Sequence, residues 1–321
     1  MSPPRVRLGN TDLEVSPLGL GCWQFSEGKG LIGGYWPALP DEVVEAIVRR
    51  SLEGGINWFD TAESYGEGAS EQTLARTLSK LGKQPGEVVV ATKWNPFMRP
   101  ANSIRATIGE RLSRLAPWPI DLHQVHQPIS LSTVEAEMDA MADLVDEKKI
   151  RFVGVSNFNA SRMRRAHVRL VARGLSLAAN QVKYSLLDRR IESSGVMATA
   201  KELGVSIIAY SPLEQGILSG KFHDAPELLK SVKGPRGFRS AFRNRGMARA
   251  APVVQLLKQV ASAHGATPSQ VALAWLLQFH GPTVLAIPGA SREKHAEELT
   301  GAMALTLSPR ELSDLDTVSR V

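Results

Sequence analysis

Apolar residues in this chain follow two alternating rhythms: short continuous runs, and longer stretches where they recur every three or four positions. The first rhythm marks buried strands and the second amphipathic helices. Residues 6–15 come first, as two short alternating pieces around Gly9–Asn10–Thr11–Asp12, which is a hairpin signature. The hairpin precedes the repeating units and is placed to act as a lid over one end of whatever they build. Apolar runs then predict strands over 18–22, 55–60, 87–93, 120–126, 150–155, 177–181, 205–210 and 283–287. Helical spacing predicts helices over 41–52, 70–82, 104–115, 132–145, 160–174, 192–203, 252–264 and 267–277, with two more near 293–299 and 309–318. Residues 211–250 are polar and glycine-rich and read as a long loop after the seventh strand.

Short strands that alternate with helices imply right-handed crossovers and a parallel sheet. Eight such units close into a (β/α)8 TIM barrel, here with an N-terminal β-hairpin and the long loop after strand 7. The whole chain, 1–321, is expected to form a single barrel domain. The open doubly wound sheet is the competing fold. It wants Gly-x-Gly-x-x-Gly after its first strand, and Gly19–Leu20–Gly21 lacks both the third glycine and the helix that would open on it.

The strand ends carry the candidate chemistry. Asp60 closes the second strand, Tyr65 follows five residues on, Lys93 closes the third strand and His126 the fourth. A parallel barrel converges such positions on one rim. Tyr65 is the natural proton donor, and a buried Lys93 beside it is expected to favour the phenolate and lower its pKa. Asp60 would keep Lys93 charged, and His126 would hydrogen-bond a substrate oxygen or share the proton. Each has a plainer reading: Asp60 a cap, Tyr65 rim packing, Lys93 a surface lysine, His126 a turn residue. Their joint placement at consecutive strand ends favours the chemical one. Metal binding is not expected: there is no His-x-x-x-His, and His123 and His126, three apart on a strand, point to opposite sides.

Composition narrows the class. The chain has 321 residues, 43% of them hydrophobic, and a net charge of +6. Positive charge clusters at Arg162, Arg164, Arg165, Arg169 and Arg173 with helical spacing, which reads as a solvated face. A second cluster, Lys233 to Arg249, is loop-like. Neither is interleaved with aromatics, so no nucleic-acid partner is expected. Cys22 is the only cysteine, no apolar run approaches the length of a bilayer span, and the N-terminus carries no secretory h-region. A soluble cytoplasmic protein without a membrane partner is expected, as a monomer or weak homo-oligomer.

Several motifs agree in order. Asn57–Trp58–Phe59–Asp60–Thr61–Ala62 with Tyr65–Gly66, Thr92–Lys93, Asp121–Leu122 with His126, Gly154–Val155–Ser156–Asn157–Phe158, Asn180–Gln181 with Tyr184, and Ala209–Tyr210–Ser211–Pro212–Leu213 together resemble the aldo-keto reductase superfamily. The resemblance spans about Val6 to Leu299. It implies an oxidoreductase that reduces a small-molecule aldehyde or ketone by hydride transfer, with Tyr65 as general acid and Lys93, Asp60 and His126 assisting. It implies that Ser156, Asn157 and Gln181 hydrogen-bond the nicotinamide carboxamide and that Tyr210 stacks on its ring. Ser211, Leu213, Gln215, Gly216, Leu218, Ser219 and Lys221 fall in the loop that covers the pyrophosphate in the family, with Trp23 and Pro212 also on the cofactor and Arg236, Arg239 or Arg243 of the basic loop as a further phosphate clamp.

The segment after strand 8 departs from the pattern. In the family it grips the adenosine 2′-phosphate, often with a basic residue soon after the proline and an asparagine near the end. Here Ile287 leads into an uncharged Gly289–Ala290–Ser291, His295 stands where Arg or Gln is common, and Leu299 replaces the asparagine. Arg292 and Lys294 are placed to compensate, with Glu298 nearby. NADP(H) is expected, with NAD(H) left open. Trp23, Phe25, Trp36, Trp94 and His126 are expected to line the substrate mouth, with loop packing as the other reading of Trp36. A cofactor-binding regulatory, redox-sensing β-subunit-like protein with little turnover is the alternative; the intact set Asp60, Tyr65, Lys93 and His126 and the lack of an N-terminal tail favour the reductase.

Overall fold

Eight parallel strands pair in the order of the chain: β3 (Leu20–Gly21), β4 (Trp58–Asp60), β5 (Val89–Trp94), β6 (Ile120–Val125), β7 (Ile150–Ser156), β8 (Leu177–Lys183), β9 (Ser206–Tyr210) and β10 (Val284–Ala286). This computed structural model describes residues 5–30, 34–232 and 240–320. The sheet closes on itself. Gly19 N donates to Ala286 O at 2.9 Å, Ala286 N to Pro17 O at 3.1 Å and Gly21 N to Pro288 O at 3.1 Å, beside parallel bridges Leu18–Ala286 and Gly21–Gly289. The first and last strands are thereby joined, and the (β/α)8 barrel expected from the sequence is the fold.

Strand parity builds two cores. Trp58, Ala91, Leu122, Ala179, Ile208 and Leu285 point inward and pack as the floor of the barrel. The hairpin β1 (Val6–Arg7) and β2 (Glu14–Val15) presses Leu8, Leu13 and Val15 against that floor from below. Hydrogen bonds to the barrel pin it, among them Trp58 Nε1 to Ser16 O at 2.9 Å, Asn57 Nδ2 to Glu14 O at 3.0 Å and Gly9 N to Ser206 Oγ at 2.7 Å. The residues of opposite parity, such as Phe59, Val90, Val125, Val153 and Val155, bury against the ring of helices.

Those helices are α1 (Asp41–Glu53), α2 (Ala69–Lys80), α3 (Asn102–Leu115), α4 (Val134–Asp146), α5 (Ala160–Val171), α6 (Arg190–Ser193), α7 (Val196–Leu203), α8 (Lys221–Asp224), α9 (Asn244–His264), α10 (Pro268–Phe279), α11 (Glu293–Ala304) and α12 (Pro309–Ser319). Thr267 with Gln270 and Ser308 with Glu311 form capping boxes that start α10 and α12. The arginine stripe on α5 is paired with acids of its neighbours: Arg165 with Glu135, Arg169 with Asp139 and Arg164 with Glu202. No helix among the described residues is long and apolar enough to cross a membrane.

Two expectations change. The helix read over 192–203 is broken at Ser194–Gly195 into α6 and α7. The stretch 211–250 is not one loop. It holds short helical turns and α8, and α9 begins at Asn244, so that Pro252 lies inside it. Ile217, Phe222, Phe242, Met247 and Ala250 bury together there as a small core of their own. Tertiary packing of that apolar face outweighs the helix-breaking proline and glycine. Arg236, Lys233 and Arg239 lie outside the described residues.

His123 on β6 faces the helix layer and is fully buried. Burial, then the Arg111 charge, pushes its imidazole down to about 3. The unfolded chain takes a proton here below about pH 6.5 while the folded chain does not, so this residue makes stability fall as pH falls through that window. His123→Leu should shrink the drop in unfolding free energy between pH 7 and pH 5 by about 2 kcal/mol. Urea titrations at both pH values check it, and an unchanged drop would mean that His123 is not held neutral.

Candidate active site

Above the apolar floor the barrel interior turns polar. Asp60 at the end of β4 and Lys93 on β5 both point inward and are 1% and 0% exposed. The Lys93 ammonium touches Asp60 Oδ1 and donates to Thr61 O at 2.8 Å. The other carboxylate oxygen, Oδ2, accepts from Gln124 Nε2 at 3.0 Å and from Gln181 Nε2 at 2.9 Å. Asp60 is thus bound by one cation and two amides from three further strands. Burial opposes the charge on Lys93, but Asp60 and Tyr65 outweigh it and hold the ammonium above its ordinary range.

Tyr65 stands over this layer, with its hydroxyl 3.5 Å from Lys93 Nζ. The sequence suggested that Lys93 would lower the tyrosine's pKa. The net shift is the other way: burial raises it, Lys93 pulls it back only in part, and Asp60 raises it further. Tyr65 therefore rests as the neutral phenol, the form that can give up a proton.

The loop from Asp60 to Tyr65 is tied at nearly every residue. Thr61 Oγ1 donates to Ser70 Oγ at 2.8 Å. Glu63 N donates to Lys93 O at 3.2 Å. The Glu63 carboxylate pairs with Arg111 of α3 through one oxygen and accepts from Arg99 at 2.7 Å and from the Asn95 main chain through the other. Arg111 is itself fully buried, which pushes its guanidinium down to about 10. Gly66 ends the loop at φ +65, where a Cβ would lie 2.2 Å from Ser26 O, so only glycine lets the chain turn there.

His126 follows β6 and presents its ring edge-on to Tyr65, centroids 5.7 Å apart. Burial, then Lys93, lowers its imidazole to about 3, so it is neutral at physiological pH. Ser64 Oγ lies 3.3 Å from its Nδ1. Across the mouth, Asn157 has φ +60. Its Oδ1 accepts from Tyr210 OH at 3.0 Å, and its Nδ2 donates to Ser156 Oγ at 3.0 Å and to His126 O at 3.4 Å. Ser156 Oγ donates to Gln181 O at 2.9 Å. The structure thus brings Asp60, Tyr65, Lys93, His126, Ser156, Asn157, Gln181 and Tyr210 to one end of the barrel, with Gln181 one layer lower, on Asp60.

One wall is aromatic. Trp23 stacks on Tyr35 at 4.7 Å and on Tyr65 at 5.8 Å, with Trp36 edge-on at 6.0 Å. Two residues expected at this mouth are elsewhere. Trp94 is 0% exposed, with its indole N–H on Ser103 of α3, and Phe25 is 1% exposed in the outer core. Parity explains Trp94: Lys93 points into the barrel, so its neighbour points out. Tyr35 OH also donates to Gln215 Oε1 at 2.9 Å, which ties the loop after β3 to the loop after β9.

That second loop and the start of α11 form a further cationic corner. Ser211, Glu214 and Gln215 have φ of +51, +45 and +56, and Gly216 of +93. A Cβ on Gly216 would lie 3.2 Å from the Lys221 ammonium, so the backbone passes close to that charge. Ser219 Oγ donates to Gly216 O at 2.7 Å. Pro212 is buried and Leu213 half-buried, while Leu218 is fully buried and Ile287 packs on the barrel floor, which leaves the last two without side chains to offer a ligand. Gly289 packs against Gln24. Ser291 N donates to His295 Nδ1 at 3.4 Å. Burial, then the charges of Lys221, Arg292 and Lys294, lowers the His295 imidazole, while burial raises the Glu298 carboxyl against Lys294 and Lys221. Three cations acting on one half-buried histidine at a helix N-terminus suit a phosphate group.

Sequence reading missed Gln124, Glu63, Arg111, Ser64 and Tyr35. Gln124 had a signal, since it shares parity with Leu122 and so faces inward. Glu63 and Arg111 did not, because their pairing depends on how α3 docks.

The chain also matches known proteins. The Aldo/keto reductase family matches residues 17–320. "Probable aldo-keto reductase 1" from Glycine max is 30% identical, over 97% of this chain and 87% of its own. A crystal structure of the thermostable aldo-keto reductase Tm1743, bound to the inhibitor epalrestat, superposes with TM-score 0.77 at 28% identity, covering 98% of this chain and 99% of that one. The glycerol dehydrogenase AKR11B4 from Gluconobacter oxydans gives TM-score 0.83 at 25% identity, covering 99% and 95%.

Removing Asp60 leaves Lys93 charged, buried and without a counterion. Asp60→Ala should lower stability by about 3–5 kcal/mol. Equilibrium urea unfolding measures it, and a cost under about 1 kcal/mol, the scale of an exposed pair, would mean that the ammonium reaches water.

Proposed function

The chain belongs to the aldo/keto reductase family of oxidoreductases, and on that premise we propose that it reduces a small aldehyde or ketone to the alcohol with NADP(H). The observation that carries this reading is the neutral Tyr65 hydroxyl 3.5 Å from the Lys93 ammonium, which Asp60 holds inside the barrel. A nicotinamide cofactor, when bound, supplies the hydride. Tyr65 gives its proton to the substrate oxygen, and Lys93 stabilises the phenolate that remains. The ammonium keeps its own proton because Asp60 keeps it charged. His126, neutral, hydrogen-bonds the same oxygen.

The mouth fits the cofactor. Ser156 and Asn157 are polar groups beside His126, and with Gln181 they would take the carboxamide, while Tyr210, fixed by its bond to Asn157, would stack on the ring. The bend at Gln215–Gly216 beside Lys221 would follow the pyrophosphate, with Ser211, Leu213 and Ser219 in the same loop. Lys221, Arg292, Lys294 and His295 would take the adenosine 2′-phosphate, which supports NADP(H) over NAD(H). The wall of Trp23, Tyr35 and Trp36 favours planar or apolar carbonyl substrates. That one structural neighbour is a glycerol dehydrogenase supports alcohol–carbonyl chemistry in this fold.

A panel of aromatic and aliphatic aldehydes should be reduced with loss of NADPH absorbance. Tyr65→Phe should lower kcat by about 10²–10⁴-fold, the usual contribution of a general acid, and leave NADPH affinity nearly unchanged by fluorescence titration. Equal losses in both would argue against the acid role.

The double substitution Arg292→Ala with Lys294→Ala should weaken NADPH binding roughly tenfold or more, the scale of a lost charge-assisted contact, and leave NADH binding unchanged. Equal weakening of both would move the 2′-phosphate site elsewhere.

A further inference from the structure

We propose that Ser64 is a positioning residue that fixes the tautomer of His126, so that the ring offers the mouth an Nε2–H donor and not a bare nitrogen. This rests on the reductase reading above, because a developing alkoxide oxygen is an acceptor and needs a donor opposite it.

The chemistry begins with proton count. A neutral imidazole has one N–H and one lone pair, and the partner of one nitrogen decides the role of the other. Burial and the Lys93 ammonium keep His126 neutral, so the ring must choose. Its surroundings narrow the choice. Lys93 supplies positive charge, the Tyr65 ring stands edge-on, and Asn157 Nδ2 takes the main-chain carbonyl of His126, not its ring. Among the described residues, the hydrogen bond made with a ring nitrogen is between Ser64 Oγ and Nδ1, at 3.3 Å. When the hydroxyl donates there, Nδ1 holds the lone pair and the proton sits on Nε2. The opposite tautomer would turn a lone pair on a substrate oxygen that is itself gaining negative charge.

Ser64 is also held where this role needs it. On one side, Glu63 is locked by Arg99, Arg111 and the Asn95 main chain. On the other, Tyr65 N donates to Ala62 O at 3.0 Å and Tyr65 O accepts from Ser70 N at 3.1 Å. The loop that aims the proton donor thus also aims the hydroxyl that sets the imidazole, and neither needs to reorganise during reaction.

The test uses the full-length protein labelled with 15N, free of cofactor, at neutral pH. Long-range proton–nitrogen spectra report the protonation of each ring nitrogen, and His126→Gln identifies the His126 signals by their loss. The wild type should show an unprotonated Nδ1 and a protonated Nε2. Ser64→Ala should move both nitrogens toward averaged values of a tautomer mixture. In aldehyde reduction the same variant should lose kcat several-fold at unchanged KM for NADPH, and Ser64→Thr should restore both the spectrum and kcat. A wild-type ring protonated on Nδ1, or a Ser64→Ala spectrum identical to wild type, overturns the proposal. The spectra need no turnover, so they judge Ser64 even in a protein that reduces nothing; failure of the wild type to oxidise NADPH with any aldehyde strikes the reductase reading alone.

Discussion

One ammonium inside a closed barrel is the constraint on which the mouth depends. Taking Lys93 out of water is costly, and attraction to Asp60 offsets that cost only when the remaining hydrogen-bonding capacity is also met. The barrel meets it without adding charge. Gln124 and Gln181 occupy the second carboxylate oxygen, and Thr61 O takes another ammonium proton. The closure between Pro17–Gly21 and Ala286–Gly289 keeps this set dry. An open sheet would expose the same residues at an edge, where water would weaken every contact among them.

The ammonium then acts on two neighbours in different ways. On Tyr65 it counters burial without reversing it, so the phenol keeps its proton at rest and has a stabilised anion to become. On His126 it adds to burial and excludes the imidazolium. The polarity of the mouth is therefore settled before any ligand arrives: an ammonium paired with Asp60 below, a neutral acid above it, and a neutral ring beside that acid. Fixed polarity of this kind is what lowers a barrier in a dry site.

Much of this was legible in the sequence. Strand period and helix spacing gave the barrel and its hairpin floor, and successive strand ends brought Asp60, Lys93 and His126 together with Tyr65. What failed did so for identifiable reasons. Trp94 is not at the expected mouth, because alternation with the inward Lys93 points it outward to Ser103. Gln124 shares the inward parity of Leu122 and reaches Asp60, a role that a single polar residue in an apolar run does not announce. The Tyr65 shift was misjudged because a sequence shows the neighbouring charge but not the depth of burial. The start of α9 at Asn244 depends on a small core that only the folded chain assembles. The pairing of Glu63 with Arg111 depends on helix docking, which no local pattern encodes.

The segment from Asp60 to Tyr65 has a fixed length in a strong sense. Its residues reach Lys93, Ser70, Arg111 and His126 in succession, each from a different backbone position. Adding or deleting one residue would turn every later side chain to the wrong neighbour at once. Farther along the chain, the small core of Ile217, Phe222, Phe242, Met247 and Ala250 lies apart from these contacts. An insertion or deletion between Asp60 and Tyr65 therefore disturbs several partners of the mouth together, where a single substitution disturbs one.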